Sequence, residues 1–298
     1  MEDYRRYLDP KVLNRISGLD LKARLIVEGY VTGLHKSPYH GFSIEFAEHR
    51  EYVPGDDIRH VDWKVFGRSD RYYIKQYEEE TNLVCNVLLD VSESMRYAGD
   101  TVSKLEYGSY VAAAICYLVI KQQDSAGMVL FDETIRRHVK PSSNPSHLKS
   151  MLHDLAEVTP REKTNLGRVL HEIAEKLGKK GLVVLISDLF DEPDSILAGL
   201  RHLRHRGHDT IVFHVLDHYE RVFPFERITL FDGLEAGPEV IADPRALREA
   251  YLGELEEFRR RIRRGCQGYR IDYVELDTAT TLDVALSSYL ASRAARRK

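Results

Sequence analysis

From about residue 81 onward, short apolar runs alternate with longer amphipathic ones, and no other feature restricts the fold as much. The apolar runs are Leu83 to Leu89 ("LVCNVLL"), Ala126 to Phe131, Leu182 to Ser187 ("LVVLIS"), Thr210 to Leu216 and Tyr269 to Leu276. Each has the length and β-branched content of a buried strand. Helical patterns fill the gaps: Ser103 to Lys121, Pro145 to Ala156, Gly167 to Leu177, Ser195 to Arg206, Pro244 to Arg264 and Thr281 to Ala294. Strands separated by helix-length crossovers form βαβ units, so a doubly wound, mostly parallel α/β sheet with helices on both faces is expected. Thr134 to Lys140 follows its predecessor too closely for a crossover, and is expected as an antiparallel edge strand beside Ala126 to Phe131.

Residues 1–80 follow another pattern, and the boundary between two domains is expected there, at 1–80 and 81–298. A helical pattern near Pro10 to Tyr30 gives way to a stretch dense in Gly, Pro, Asp and His. Within it "FSIEF" and "YYIKQY" read as short strands and "VPGDD" as a turn. Phe42, Phe46, Trp63, Phe66, Tyr72 and Tyr73 give such a small β-rich lobe apolar area to bury.

Composition narrows the function classes. The net charge of −4 opposes general attraction to nucleic acid or an anionic membrane. The 3 cysteines form no CxxC pair, which argues against a disulfide framework or thiolate zinc site. The longest apolar run, Tyr110 to Ile120, falls short of the ~20 residues a membrane span needs. The N-terminal "MEDYRRYLDP" has no apolar signal-peptide core. A cytoplasmic protein is expected.

The chemistry gathers at strand ends. "LLDVSESM" carries the first strand into Asp90, then Ser92 and Ser94; "KTNLG" places Thr164 before a helix; "SDLFD" ends another strand on Asp188. In open α/β sheets ligands sit outside the C-terminal strand ends, where connections diverge. These side chains offer hard oxygens without sulfur or imidazole, a set suited to Mg²⁺ or Mn²⁺. The competing reading is ordinary capping, because Asp and Ser also favour helix starts and turns.

Asp90-x-Ser92-x-Ser94 followed by Thr164 and Asp188 resembles the metal-ion-dependent adhesion site of von Willebrand factor A domains. That resemblance implies Ser92, Ser94 and Thr164 as hydroxyl ligands, with Asp90 and Asp188 bound directly or through water. A partner's carboxylate would complete the shell. Adhesion-type domains usually have a glycine after the second aspartate, where this chain has Leu189.

The segment "EFAEHREYVPGDDIRHVDWKVFGRSDRYYIKQYEEE" running into "DVSESM" resembles the bacterial family catalogued as domain of unknown function 58. Members are often encoded beside MoxR-type AAA+ ATPases. The resemblance implies a non-enzymatic adaptor or co-chaperone of such an ATPase, acting on client proteins. By the same analogy Asp57, Asp62 and Trp63 become candidates for partner docking. A metal-dependent hydrolase or phosphatase with Asp90 as nucleophile is the alternative. Ser92, where such enzymes carry a second aspartate, argues against it. His202, His205 and His208, and the basic "FRRRIRR", are read as solvated helix surface.

Overall fold

The computed structural model describes residues 23, 48–53, 65–67, 72–76, 83–161, 163, 165–233, 240–282 and 286–287. The chain divides into two compact units, 38–82 and the remainder. In the smaller, β1 (Glu48–Glu51) pairs antiparallel with β2 (Tyr73–Gln76), and Phe66 stacks on Tyr72 with ring centroids 4.5 Å apart. The expected strand "YYIKQY" thus contains β2, while "FSIEF" and nearly all of the Pro10 to Tyr30 pattern lie outside the described residues.

The larger unit is built on a six-stranded sheet. Its strands are β3 (Val84–Asp90), β4 (Ser125–Phe131), β5 (Ile135–Ser142), β6 (Leu182–Ser187), β7 (Asp209–Leu216) and β10 (Asp272–Asp277). A separate ribbon pairs β8 (Thr229–Phe231) with β9 (Val240–Ala242). Strand order in the large sheet is β10-β7-β6-β3-β4-β5. All neighbours are parallel except β4 and β5, the antiparallel edge pair expected from the sequence.

Helices cover both faces: α1 (Lys104–Lys121), α2 (Pro145–Glu157), α3 (Leu166–Lys176), α4 (Pro193–His205), α5 (His218–Val222) and α6 (Pro244–Gly268). The two-residue period of a strand sends alternate side chains to opposite cores. Cys85, Val87 and Leu89 join one core with residues of α1 and α2, while Leu88 joins the other with residues of α3, α4 and α6. Ala23, the one described residue of 1–37, is buried in the first core.

The order of strands decides where a site can form. The chain leaves β3 toward β4 and β5 on one side, then crosses back to β6 on the other. The connections diverge between β3 and β6, and a crevice opens there at the C-terminal edge. α3 and α4 approach closely beside it. A Cβ at Gly167 would meet the Ser195 carbonyl oxygen at 2.8 Å, and one at Gly199 would meet Leu170 Cβ at 2.7 Å.

Candidate functional site

Asp90 and Asp188 lie at the ends of adjacent parallel strands, on either side of that crevice. Asp90, Ser92, Ser94 and Asp188 are all buried. Ser92 stands at the N-cap of a 3₁₀ turn, Glu93–Arg96, yet its side chain makes no capping bond. Its Oγ lies 3.1 Å from Ser94 Oγ instead, and the Ser94 hydroxyl also hydrogen-bonds Asp188. α1 begins later and is capped by Ser103, whose Oγ accepts from the Glu106 amide at 3.1 Å. The two serines of "DVSES" therefore stand at the start of a 3₁₀ turn without a side-chain cap from Ser92, and their oxygens face each other at the strand edge.

The two carboxylates differ sharply. Asp90 Oδ2 accepts from the Ser187 hydroxyl at 2.6 Å, and Oδ1 accepts from the Ser92 amide at 3.0 Å. No cation pairs with it among the described residues. Burial, then the nearby charge of Asp188, pushes its pKa up to about 7. Asp188 meets the same burial but has a partner, since Lys104 Nζ donates to Asp188 Oδ2 at 2.7 Å. That ammonium outweighs desolvation and holds Asp188 below the usual carboxylate range.

Lys104 is itself only 3% exposed and donates a second bond, to Glu220 Oε1 at 2.8 Å. Glu220 is held by a capping box at the start of α5: its Oε2 accepts from the Asp217 amide at 2.8 Å. Asp217 in turn accepts from the Gly99 amide and the Thr278 hydroxyl, tying the loops after β3, β7 and β10 together. Lys104 and Glu220 were not among the residues singled out from sequence. A lysine at the first position of a helix carries no local signal of burial. The Asp217-x-x-Glu220 pattern reads as a cap, and the cap is formed.

Leu189 follows Asp188 with φ +56°, in the left-handed region that favours glycine. The position keeps a glycine-like backbone although the residue is leucine, and its fully buried side chain joins the core beneath α3 and α4. The Ser187 hydroxyl accepts from the Leu189 amide at 2.9 Å, and Phe190 projects outward.

Of the candidates named from sequence, Asp90, Ser92, Ser94 and Asp188 come together. Thr164, Asp57, Asp62 and Trp63 lie outside the described residues. No group of three or more His, Cys, Asp or Glu able to hold a metal occurs among the described residues, so an ion here would depend on hydroxyls and water. The donor chemistry fits a hard dication: two carboxylates, one with no cation partner among the described residues, beside the hydroxyls of Ser92 and Ser94. His202 turns to Glu175 and His171 at the α3–α4 contact. Four of the five arginines of "FRRRIRR" are ion-paired, Arg259 and Arg263 to Glu275, Arg260 to Glu257 and Arg261 to Asp194. No helix among the described residues is long and apolar enough to cross a membrane.

The chain is 24% identical over 290 residues to "Uncharacterized protein Rv1480" of Mycobacterium tuberculosis, a match covering 96% of this chain and 90% of that one. "Uncharacterized protein Mb1516" of Mycobacterium bovis matches to the same extent. Among solved structures, BatB from Bacteroides thetaiotaomicron superposes with a TM-score of 0.50 at 16% identity. That match covers 71% of this chain and 98% of BatB, and at such identity it speaks for the fold alone. The SpRpn10 VWA domain is a weaker likeness, with a TM-score of 0.40 at 11% identity, covering 68% of this chain and 93% of that one. A family model matches residues 48–261, most of the chain, and on that match the protein belongs to the family described as "Protein of unknown function DUF58".

Proposed function

We propose that this protein is a non-enzymatic protein-binding module that uses Mg²⁺ or Mn²⁺ at the β3–β6 edge to hold a carboxylate of its partner. One observation carries the reading: the Ser92 hydroxyl makes no capping bond, lies 3.1 Å from the Ser94 hydroxyl, and sits beside Asp90, a buried carboxylate with no cation partner among the described residues. Asp90, Ser92, Ser94 and Asp188 would hold the ion, joined by Thr164 on the family resemblance. When bound, the ion supplies a Lewis-acidic position open to a partner's oxygen. The chain's own part is to fix those oxygens: Ser187 and the Ser92 amide orient Asp90, and Lys104 orients Asp188. Lys104, shared between Asp188 and Glu220, also offsets part of the negative charge at this edge, which favours an ion held through hydroxyls and water over a tight carboxylate cage.

The hydrolase alternative is less well supported. Asp90 is fully buried and both its oxygens already accept hydrogen bonds, a poor state for a nucleophile. By family analogy the partner is a MoxR-type AAA+ ATPase together with its clients, in the cytoplasm. Mn²⁺ titration followed by electron paramagnetic resonance, with retention of the cognate ATPase on immobilised protein in Mg²⁺ or EDTA, tests both parts. The Ser92→Ala/Ser94→Ala variant should lose Mn²⁺ binding and Mg²⁺-dependent retention while keeping its circular dichroism spectrum. Mn²⁺ binding unchanged in that variant would sink the metal, and equal retention in EDTA would sink its role in docking.

A further inference from the structure

Next to the aspartate edge lies a cavity of about 500 Å³, between the β6–α4 loop, the end of β7 and α6. Its size falls in the range that receives a small ligand or one large side chain with its main chain. Leu216, Tyr251, Leu255 and Phe258 line it with apolar surface. Phe190, also lining it, is 64% exposed, a large aromatic left in water directly after the strained Leu189. The polar lining includes Lys104, already committed to Asp188 and Glu220.

His214 also lines the cavity and is 1% exposed. Its Nδ1 meets the Tyr273 hydroxyl at 2.6 Å, and the ring also hydrogen-bonds the Asp188 main chain. The remaining charges are acidic. Glu192 and Glu254 line the same cavity, are exposed, and form no ion pair among the described residues.

An apolar interior with exposed carboxylates at its wall describes one kind of visitor. We infer that the cavity receives a large apolar side chain of a partner polypeptide whose adjacent residue is Arg or Lys, the cation meeting Glu192 and Glu254. This rests on the reading of the protein as a protein-binding module, but not on the metal. The cavity sits beside the aspartate edge, so one partner segment can engage both.

The test uses four acetylated, amidated pentapeptides differing only at two adjacent central positions: Leu-Arg, Leu-Glu, Ala-Arg and Ala-Glu. They are titrated into the full chain in EDTA, so that loss of the metal cannot mimic loss of the cavity. Binding is followed by NMR shifts of the residues around Phe190 and Tyr251. The Leu-Arg peptide should bind at least about tenfold more tightly than the other three. Leu255→Glu should abolish its binding, and Glu192→Gln/Glu254→Gln should remove its advantage over Leu-Glu. Phe190→Ala, at an exposed position, weakens binding without endangering the fold if Leu255→Glu proves unstable. Equal binding of Leu-Arg and Leu-Glu, or no saturable shifts with any peptide, overturns the proposal. A concentration-dependent dimer dissolved by Phe190→Ala, with no peptide bound, would give the cavity to a second copy and overturn it too. The same titrations in Ser92→Ala/Ser94→Ala should be unchanged, which separates failure here from failure of the metal site.

Discussion

The ends of β3 and β6 form a matched pair with opposite electrostatics. Each strand delivers an aspartate to the same edge, one at Asp90 and one just past Ser187, and both are buried. Asp188 is met by Lys104, while Asp90 is met by the Ser187 and Ser92 hydroxyls and the Ser92 amide, with no cation among the described residues. The first is held charged and the second is pushed up to about 7. Burial alone works against the charge of both; a cation reaches only one. A strand can place a carboxylate at a sheet edge, but its ionisation depends on what the rest of the fold brings there.

The largest effect should come from removing the cation that separates the two. Lys104→Met leaves Asp188 and Glu220 buried without their partner, and should cost about 3–5 kcal/mol in urea unfolding at pH 7. Mg²⁺ should restore part of that loss if a dication can take over the charge of Asp188. A cost under about 1 kcal/mol would mean that the contrast between the aspartates has another source.

Asp90→Asn examines the other member of the pair. Metal-free folded protein holds a proton on Asp90 up to about pH 7, well above the ordinary carboxylate value of 3.8. The folded state thus binds more protons than the unfolded one between those values, and stability falls as pH rises through that window. In EDTA the variant should be more stable than the parent at pH 8, by on the order of 2 kcal/mol, and equal to it at pH 4. Thermal melts at the two pH values decide this. A parent that gains stability from pH 4 to 8 relative to the variant would contradict it.

Two smaller changes sharpen the comparison at the loops. Leu189→Gly relieves a left-handed backbone at a gain of about 1 kcal/mol but forfeits a buried side chain of about 2–3 kcal/mol. A net loss of roughly 1–2 kcal/mol should appear in denaturant titration, and a net gain would mean that the leucine contributes no packing. Ser92→Ala should shift metal-free stability by less than about 1 kcal/mol, because the hydroxyl caps nothing, yet abolish stabilisation by Mg²⁺. A variant as responsive to Mg²⁺ as the parent would remove Ser92 from the ion's shell.

Most of the scaffold was legible. The strand expected over Leu83 to Leu89 forms as β3, and the edge pairing of Thr134 to Lys140 forms as β4 with β5, because apolar runs of that length must be covered on both faces. The ribbon of β8 and β9 and the short α5 went unread. Three-residue strands and a single-turn helix leave too little periodicity to detect. The pair Asp90 and Asp188 was legible as strand ends, and the choice between capping and ligation for Ser92 was not, since both use the same residue types. The observed turn, with its missing capping bond, removes helix capping by the Ser92 side chain; ligation is what we propose for it.

By itself, then, the order of residues determined which oxygens reach the edge: apolar strand length and two-residue alternation are local properties that place Asp90 and Asp188 wherever the strands pair. Tertiary structure decided their charge. Lys104 is 84 residues from Asp188 and 116 from Glu220, and nothing in its own neighbourhood marks it as buried. Helix α1 must first dock on the sheet before its ammonium can find a carboxylate, because Coulomb attraction of this strength exists only after water has been excluded.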